Sequence, residues 1–359
     1  MKILCVIDSL CQGGAQRQLV ELALGFNEKG HTVSFLIYRQ IPFFNHLLDS
    51  AGILINYIQE PNYFKRFLKI RSFIRKGRYD SVLSFLESPN FYCELAGLPY
   101  RKWKLIVGER SANPNIYKSP RLIFFRWFHF FADYVVANSL SNIHIVKSIN
   151  PLLPQSKTIV IYNSVNFEIW KPKPGYVPRR NGKLRLIVAS AHRYLKNLDG
   201  LLEALKIISA AELKYLSIEW YGVSKDSSMI DAIQKIKKYN LSDVISLLPA
   251  TSQIDKITQE ADIVGLFSFH EGFPNTICEG MACSKPIVCS TVSDIPLLLS
   301  NNLNLLFDPK DYTSICNTLK YIIDLSNEEL LEIGAQNYEC AKLHFEKDNI
   351  INQYLKLLT

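Results

Sequence analysis

The chain has 359 residues, 48% hydrophobic and 21% charged, a globular balance that excludes a disordered or low-complexity protein. At this length two domains of middling size are expected instead of one core. The formal charge of +8 suits nucleic acid, anionic phospholipid or a phosphorylated substrate, but no nucleic-acid recognition motif accompanies it.

The opening run MKILCVIDSLCQGG is broken by Asp8 and has no small-residue cleavage site after it. It therefore reads as a buried strand, not a signal peptide. No stretch reaches about 18 uninterrupted apolar residues, so no spanning helix is expected. Eight cysteines show no C-x-x-C pair and several lie in apolar runs, as reduced thiols of a cytosolic protein do. The histidines are scattered and no D-x-D triplet occurs, so neither a structural metal nor a metal-bridged diphosphate is indicated.

In chain order, Lys2–Ile7 reads as a strand, Gln16–Asn27 as a helix and Thr32–Tyr38 as a strand. Ser81–Phe85, Leu105–Val107 and Tyr134–Ala137 are further strands between helical segments. The Pro-, Gly- and charge-rich segment KPKPGYVPRRNGK, residues 171–183, reads as an interdomain connection. After it, Leu184–Ser190, Leu216–Tyr221, Val244–Leu247, Ile263–Phe267 and Pro286–Cys289 read as strands. Leu198–Ser209, Met229–Lys238, Gln253–Glu260 and Asn275–Ala282 read as helices, and the tail from Asn327 to Leu358 as at least two helical pieces. The alternation predicts two doubly wound parallel sheets, whose ligands bind beyond the carboxyl ends of the strands. The expected division is residues 1–170, a linker at 171–183, residues 184–340, and a C-terminal helix at 341–359 that packs back on the first domain.

Chemistry concentrates in SFHEGFPNTICEGMACSKPIVCS, residues 268–290. Glu271 and Glu279 stand eight positions apart, with Gly272, Phe273, Pro274, Asn275 and Thr276 where a helix begins. Proline is tolerated in a first turn because the N–H it lacks would have no partner there. The free first-turn amides and the helix dipole form an anion site. A carboxylate such as Glu279 on a mostly apolar helix needs a partner or a ligand. Earlier in the chain, Gly13 and Gly14 open the first helix, where glycines allow close backbone approach to a phosphate or sugar; a tight turn is the bland alternative. Arg193, Lys196 and Asn197 follow a strand, placed to neutralise a diphosphate, or else as a solvated loop with Asn197 as a helix cap. His192 reads as structural.

Together these residues resemble a family 4 glycosyltransferase of the GT-B fold, nearly end to end. The resemblance rests on the E-x7-E element Glu271–Glu279 with GFPN inside it and the Gly-rich loop Gly13-Gly14-Ala15-Gln16. It is supported by Val136-Ala137-Asn138-Ser139, Tyr162-Asn163-Ser164-Val165-Asn166 and Lys196-Asn197. It implies two Rossmann-like domains facing a central cleft. It also implies metal-independent transfer of a sugar from a nucleotide-diphosphate donor, with retention and no cofactor. UDP is the nucleotide that family frequency favours. In that frame Glu271 binds donor hydroxyls and Glu279 the ribose. The amides at Phe273–Asn275, with Arg193 and Lys196, stabilise the diphosphate, and Gly13 and Gly14 close over it. Two departures stand out. Arg193 precedes Lys196 by three residues where family members commonly have five. The family's N-terminal histidine is replaced by VGERSANP, which offers Glu109 and Arg110 as acceptor-side or sugar contacts, or as a structural ion pair.

Two stretches bear on location. Tyr63–Arg78 carries seven basic residues and no acidic one, which suits a helix on an anionic membrane face. Arg121–Phe131 is dense in aromatics and reads as a buried core helix. Similar enzymes imply a lipid-linked glycan acceptor in bacterial surface-polysaccharide (O-antigen) assembly, at the cytoplasmic face of the membrane. The competing functions are a GT-B nucleotide-sugar epimerase and a non-catalytic scaffold.

Overall fold

The computed structural model describes residues 1–112, 114–179 and 182–359. Asn113 of the VGERSANP element, and Arg180 and Asn181 of the expected linker, lie outside the described residues. The chain divides into two compact units, Met1–Ser164 with Lys347–Thr359, and Val165–Glu346. Residues 171–179 thus group with the second unit.

In the first unit the strands are β1 Lys2–Val6, β2 Thr32–Ile37, β3 Leu54–Tyr57, β4 Ser81–Phe85, β5 Lys104–Glu109, β6 Tyr134–Ala137 and β7 Thr158–Val160. They form one sheet in the order β3-β2-β1-β4-β5-β6-β7, with every neighbouring pair parallel. Burial on both faces explains the unbroken apolar runs. Along β1, Ile3 and Cys5 pack with the helix Gly14–Glu28 and with Ile350, Ile351 and Tyr354 of the C-terminal helix Lys347–Leu358. Leu4 and Val6 point the other way, toward Ile70, Ile74, Tyr92 and Cys93 of the helices Tyr63–Lys76 and Glu87–Gly97. Gly25 admits the C-terminal helix, since a Cβ there would lie 2.0 Å from Ile351 Cδ1.

In the second unit the strands are β8 Leu184–Ala189, β9 Leu216–Tyr221, β10 Ile245–Leu248, β11 Ile263–Leu266, β12 Ile287–Ser290 and β13 Leu306–Phe307. Their order is β10-β9-β8-β11-β12-β13, again all parallel. In both sheets the connections reverse direction between the first strand and the fourth, β1/β4 and β8/β11. Open α/β sheets bind ligands in the crevice at such a switch point. A column of stacked rings, His192, Trp220, Phe267 and Phe307, underlies the carboxyl edge of the second sheet.

The short strands β3, β7 and β13 have no counterpart in the sequence reading, and elsewhere strand ends differ by a residue or two. The reading of Arg121–Phe131 as a buried core helix is corrected. The segment is a helix Pro120–Trp127 followed by a 3₁₀ turn Phe128–Phe131. Only Phe125, Arg126 and His129 are buried, whereas Phe124, Trp127, Phe130 and Phe131 are exposed. One side of a helix fits against a sheet, and this segment carries more aromatics than one side holds. Among the described residues no helix is long and apolar enough to cross a membrane.

Candidate active site

The two loops that flank the β8/β11 switch point hold the charged residues singled out above. After β8 the chain runs extended through Arg193, turns through a 3₁₀ segment Tyr194–Lys196, and enters the helix Leu198–Ile207 at Asn197. Asn197 is buried and left-handed, with φ 57°, a conformation that Asn tolerates better than most side chains. Its Oδ1 accepts from the Gly200 N–H at 3.1 Å, capping the helix, and its Nδ2 donates to the Pro309 carbonyl at 2.8 Å. With the loop pinned at that end, Lys196 projects across the switch point. Its Nζ donates to Glu271 Oε1 at 2.5 Å, and both side chains are largely shielded from solvent. Ser268 Oγ donates to the same carboxylate oxygen at 2.6 Å. Ser268 is buried, and its carbonyl accepts from Ser290 Oγ at 2.8 Å. Arg193 is exposed.

Three further contacts tie the loops together. The Phe269 N–H donates to the Leu195 carbonyl at 3.0 Å. Thr276 Oγ1 donates to the Ala189 carbonyl at 3.2 Å, and Ser293 Oγ to the Gly272 carbonyl at 2.6 Å. The helix after β11 begins at Asn275 with Pro274 as its N-cap, one position ahead of the first turn the sequence reading gave it. The Pro274 carbonyl accepts from the Ile277 N–H at 3.1 Å. Glu279 is only 7% exposed, and Ile277, Cys278, Gly280, Met281 and Ala282 around it are buried. Gly280 seats this helix on the sheet, because a Cβ there would lie 2.9 Å from Val264. His270 has its pKa lowered, first by burial.

In the first unit, Gly13 is extended (φ −157°) and caps the helix Gly14–Glu28. A Cβ on it would meet only the end of the Gln16 side chain, Oε1 at 2.3 Å, so neither the backbone angle nor a rigid neighbour demands glycine there. Glu109 and Arg110 do not pair with each other. Successive strand residues face opposite sides of a sheet, and each finds its own partners. Glu109, 3% exposed, accepts from Arg126 at 2.7 Å and sits 2.8 Å from His129 Nε2, whose Nδ1 lies 2.6 Å from Glu94. Burial pushes Glu109 up, but Arg126 and His129 outweigh it and hold its pKa at about 2. Burial pulls His129 down, but Glu94 and Glu109 outweigh that and raise it to about 9. Arg110 turns to the other face. It donates to Asn163 Oδ1 at 3.0 Å and to the Tyr354 hydroxyl, and lies 3.8 Å from the Phe85 ring centroid.

Sequence reasoning missed Ser268, His129 and Tyr354. Ser268 carried a faint signal three residues before Glu271. His129 and Tyr354 carried none, since they meet their partners only through the fold.

Residues 12–169 match the Glycosyltransferase Family 4 model and residues 174–339 the model for glycosyl transferases group 1. Two Campylobacter jejuni relatives align along almost the whole chain. The first is an N-acetylgalactosamine-N,N'-diacetylbacillosaminyl-diphospho-undecaprenol 4-alpha-N-acetylgalactosaminyltransferase, 24% identical, with 98% of each chain covered. The second is a GalNAc-alpha-(1->4)-GalNAc-alpha-(1->3)-diNAcBac-PP-undecaprenol alpha-1,4-N-acetyl-D-galactosaminyltransferase, 22% identical, covering 100% of this chain and 98% of the other. Among solved structures, Anabaena HepE in complex with UDP and glucose superposes with a TM-score of 0.85 at 18% identity, covering 100% of this chain and 99% of the other. The chain belongs to the family 4 glycosyltransferases and has their GT-B fold.

Proposed function

We propose that the protein transfers a sugar from a UDP-sugar, with retention and without a bound metal, to a lipid-linked glycan in bacterial surface-polysaccharide assembly. The observation that carries this reading is the Lys196–Glu271 pair across the β8/β11 switch point, beside a helix N-terminus and the buried Glu279. Glu271 contacts donor sugar hydroxyls and Glu279 the nucleotide ribose. The amides at Phe273–Asn275, with Thr276, Gly272, Lys196 and Arg193, face the diphosphate. A fixed array of donors stabilises the charge that builds on a leaving diphosphate without reorganising, and needs no proton transfer. Gly13 and Gly14 leave room for close backbone approach by a ligand, and Arg110, held by Asn163 and Tyr354, is the acceptor-side candidate of the pair Glu109/Arg110. Glu109 is committed to its buried partners.

The acceptor assignment draws on the two Campylobacter relatives, whose names specify undecaprenol-diphosphate-linked glycans. Such an acceptor places the enzyme peripherally at the cytoplasmic membrane face. A thermal-shift panel of nucleotide sugars tests the donor, because a ligand that binds the native state raises the melting temperature by mass action. UDP and one UDP-sugar should stabilise the protein, undiminished by EDTA. Donor turnover without an acceptor would favour an epimerase, and no stabilisation by any nucleotide sugar would favour a scaffold.

A further inference from the structure

The first unit carries an exposed aromatic ledge that neither its core nor the site above uses. Phe124, Trp127 and Phe130 are 51%, 43% and 50% exposed. They are not loose side chains: Phe91, Phe124, Phe128, Phe131 and Phe130 form a continuous chain of ring contacts with centroids 5.0–6.0 Å apart. The helix Glu87–Gly97, which carries Phe91, also packs against the helix Tyr63–Lys76. That second helix exposes Tyr63, Phe64 and Leu68. Both elements therefore lie on one face of the sheet, on either side of one helix.

Within the two exposed segments the charges are uniform in sign. Residues 61–79 and 110–132 contain no Asp or Glu. The cations, however, are not all available to a lipid headgroup. Arg71 and Arg75 donate to the Leu95, Ala96, Leu98 and Tyr100 carbonyls, closing the C-terminus of the helix Glu87–Gly97. Arg66 donates to the Glu60 carbonyl and Lys69 pairs with the Glu60 carboxylate at 2.8 Å. Four of the seven basic residues of Tyr63–Arg78 thus have partners inside the unit. What the face offers outward is chiefly aromatic, fringed by exposed Lys65, Lys76, Lys118 and Arg121. Exposed aromatics with a cationic fringe suit the headgroup boundary of an anionic bilayer, and the nearby Glu60 and Glu87 are paired with Lys69 and Arg126.

We infer that the Phe124–Phe131 ledge, together with Tyr63, Phe64 and Leu68, inserts into the lipid headgroup region and is the principal membrane anchor, with the basic residues in a secondary role. This rests on the reading of a lipid-linked acceptor. It changes the expected physics of attachment, because aromatic insertion survives salt whereas attraction between exposed charges is screened.

Trp127 is a built-in reporter, since Trp103, Trp170 and Trp220 are buried. The full-length protein is mixed with vesicles of phosphatidylethanolamine and phosphatidylglycerol in 0.5 M NaCl, with and without brominated acyl chains. Sedimentation with the vesicles should persist in salt, and brominated lipid should quench the emission of the wild type but not of Trp127→Phe. Phe124→Ser/Phe130→Ser should weaken partitioning about tenfold or more, whereas Lys65→Glu/Lys76→Glu should have the smaller effect. Because the substituted aromatics are half exposed but share ring contacts, the melting temperature should fall only modestly, and its rise with UDP should stay that of the wild type. Binding abolished by salt, absence of quenching, or an unchanged partition of the double-serine variant overturns the inference. So does a wild-type dimer that Phe124→Ser/Phe130→Ser converts to monomer, which would make the ledge a contact between copies. UDP stabilisation in the same samples reports separately on the glycosyltransferase reading.

Discussion

Lys196→Ala removes one end of the pair that spans the switch point and leaves its surroundings nearly intact. The ammonium contacts Glu271 at 2.5 Å, with side-chain exposures of 16% and 17%, so the contact is neither fully solvated nor fully interior. Without Lys196, Glu271 Oε1 keeps the Ser268 hydroxyl at 2.6 Å. Losing a charge-assisted hydrogen bond in that setting costs about 1–3 kcal/mol of stability. Spread over a unit of 182 residues (165 to 346 inclusive), this lowers its melting temperature by roughly 2–12 °C. The catalytic loss should be larger. Removal of one fixed donor to a developing anion costs about 10²–10³-fold in kcat, or about 2.7–4 kcal/mol. Steady-state release of UDP from the donor identified by thermal shift gives kcat and KM for Lys196→Ala, Glu271→Ala and the double variant. Because the two groups act as a unit, the double variant should be far more active than the product of the single losses implies. A Lys196→Ala enzyme that unfolds several degrees earlier yet keeps kcat within about threefold of wild type would reduce the pair to a structural ion pair and refute the reasoning.

Two further predictions concern the scaffold. Asn197→Ala loses a helix cap and places an alanine at φ 57°, so it should destabilise by about 2–3 kcal/mol in urea unfolding, whereas Asn197→Gly should recover part of that; equal losses would mean the φ angle is not the issue. The Glu109–His129 network sets a pH window. Glu109 falls from 4.5 to about 2, so its contribution is present above 4.5 and is lost as pH falls toward 2. His129 rises from 6.5 to about 9, so its contribution is complete below 6.5 and is lost as pH rises through 9. Glu94, raised by burial, opposes the acid side of this window, so the test lies on the alkaline side, where His129→Gln should flatten the decline; an equally steep decline in that variant would exclude His129 as its source.

The sequence carries the fold better than it carries the partners. Both sheets follow from the alternation of β-branched runs with helical periodicity, because parallel strands are buried on both faces and read as continuous apolar segments. The strands it does not reveal, β3, β7 and β13, have four, three and two residues, too short for any period to register. Glu271, Lys196 and Asn197 are legible because each lies where a strand ends and a helix begins. Glu109 and Arg110 read as a unit only because they are neighbours in sequence; the pleat sends them to opposite faces, and their partners lie 17 and 244 positions away. The basic helix misleads in the same manner. Composition shows seven cations, and only the packing shows that Arg71 and Arg75 close the end of a neighbouring helix.

The two units share a strand order but equip its switch point differently. Beside β8/β11 the flanking loops bring a cation and a carboxylate into contact, and a helix N-terminus adds its amides. Beside β1/β4 the first loop offers backbone through Gly13 and Gly14. The second begins at Leu86, held at φ 77°, a conformation costing a branched residue roughly 1–3 kcal/mol that the surrounding fold must offset. A charged loop pair suits a ligand of high and fixed charge such as a nucleotide diphosphate. The β1/β4 loops are not free of charge, but Asp8 and Glu87 there pair with Arg39 and Arg126 of the same unit. Lys196, Glu271 and Glu279 are legible together because all three lie in the loops and the helix that follow β8 and β11.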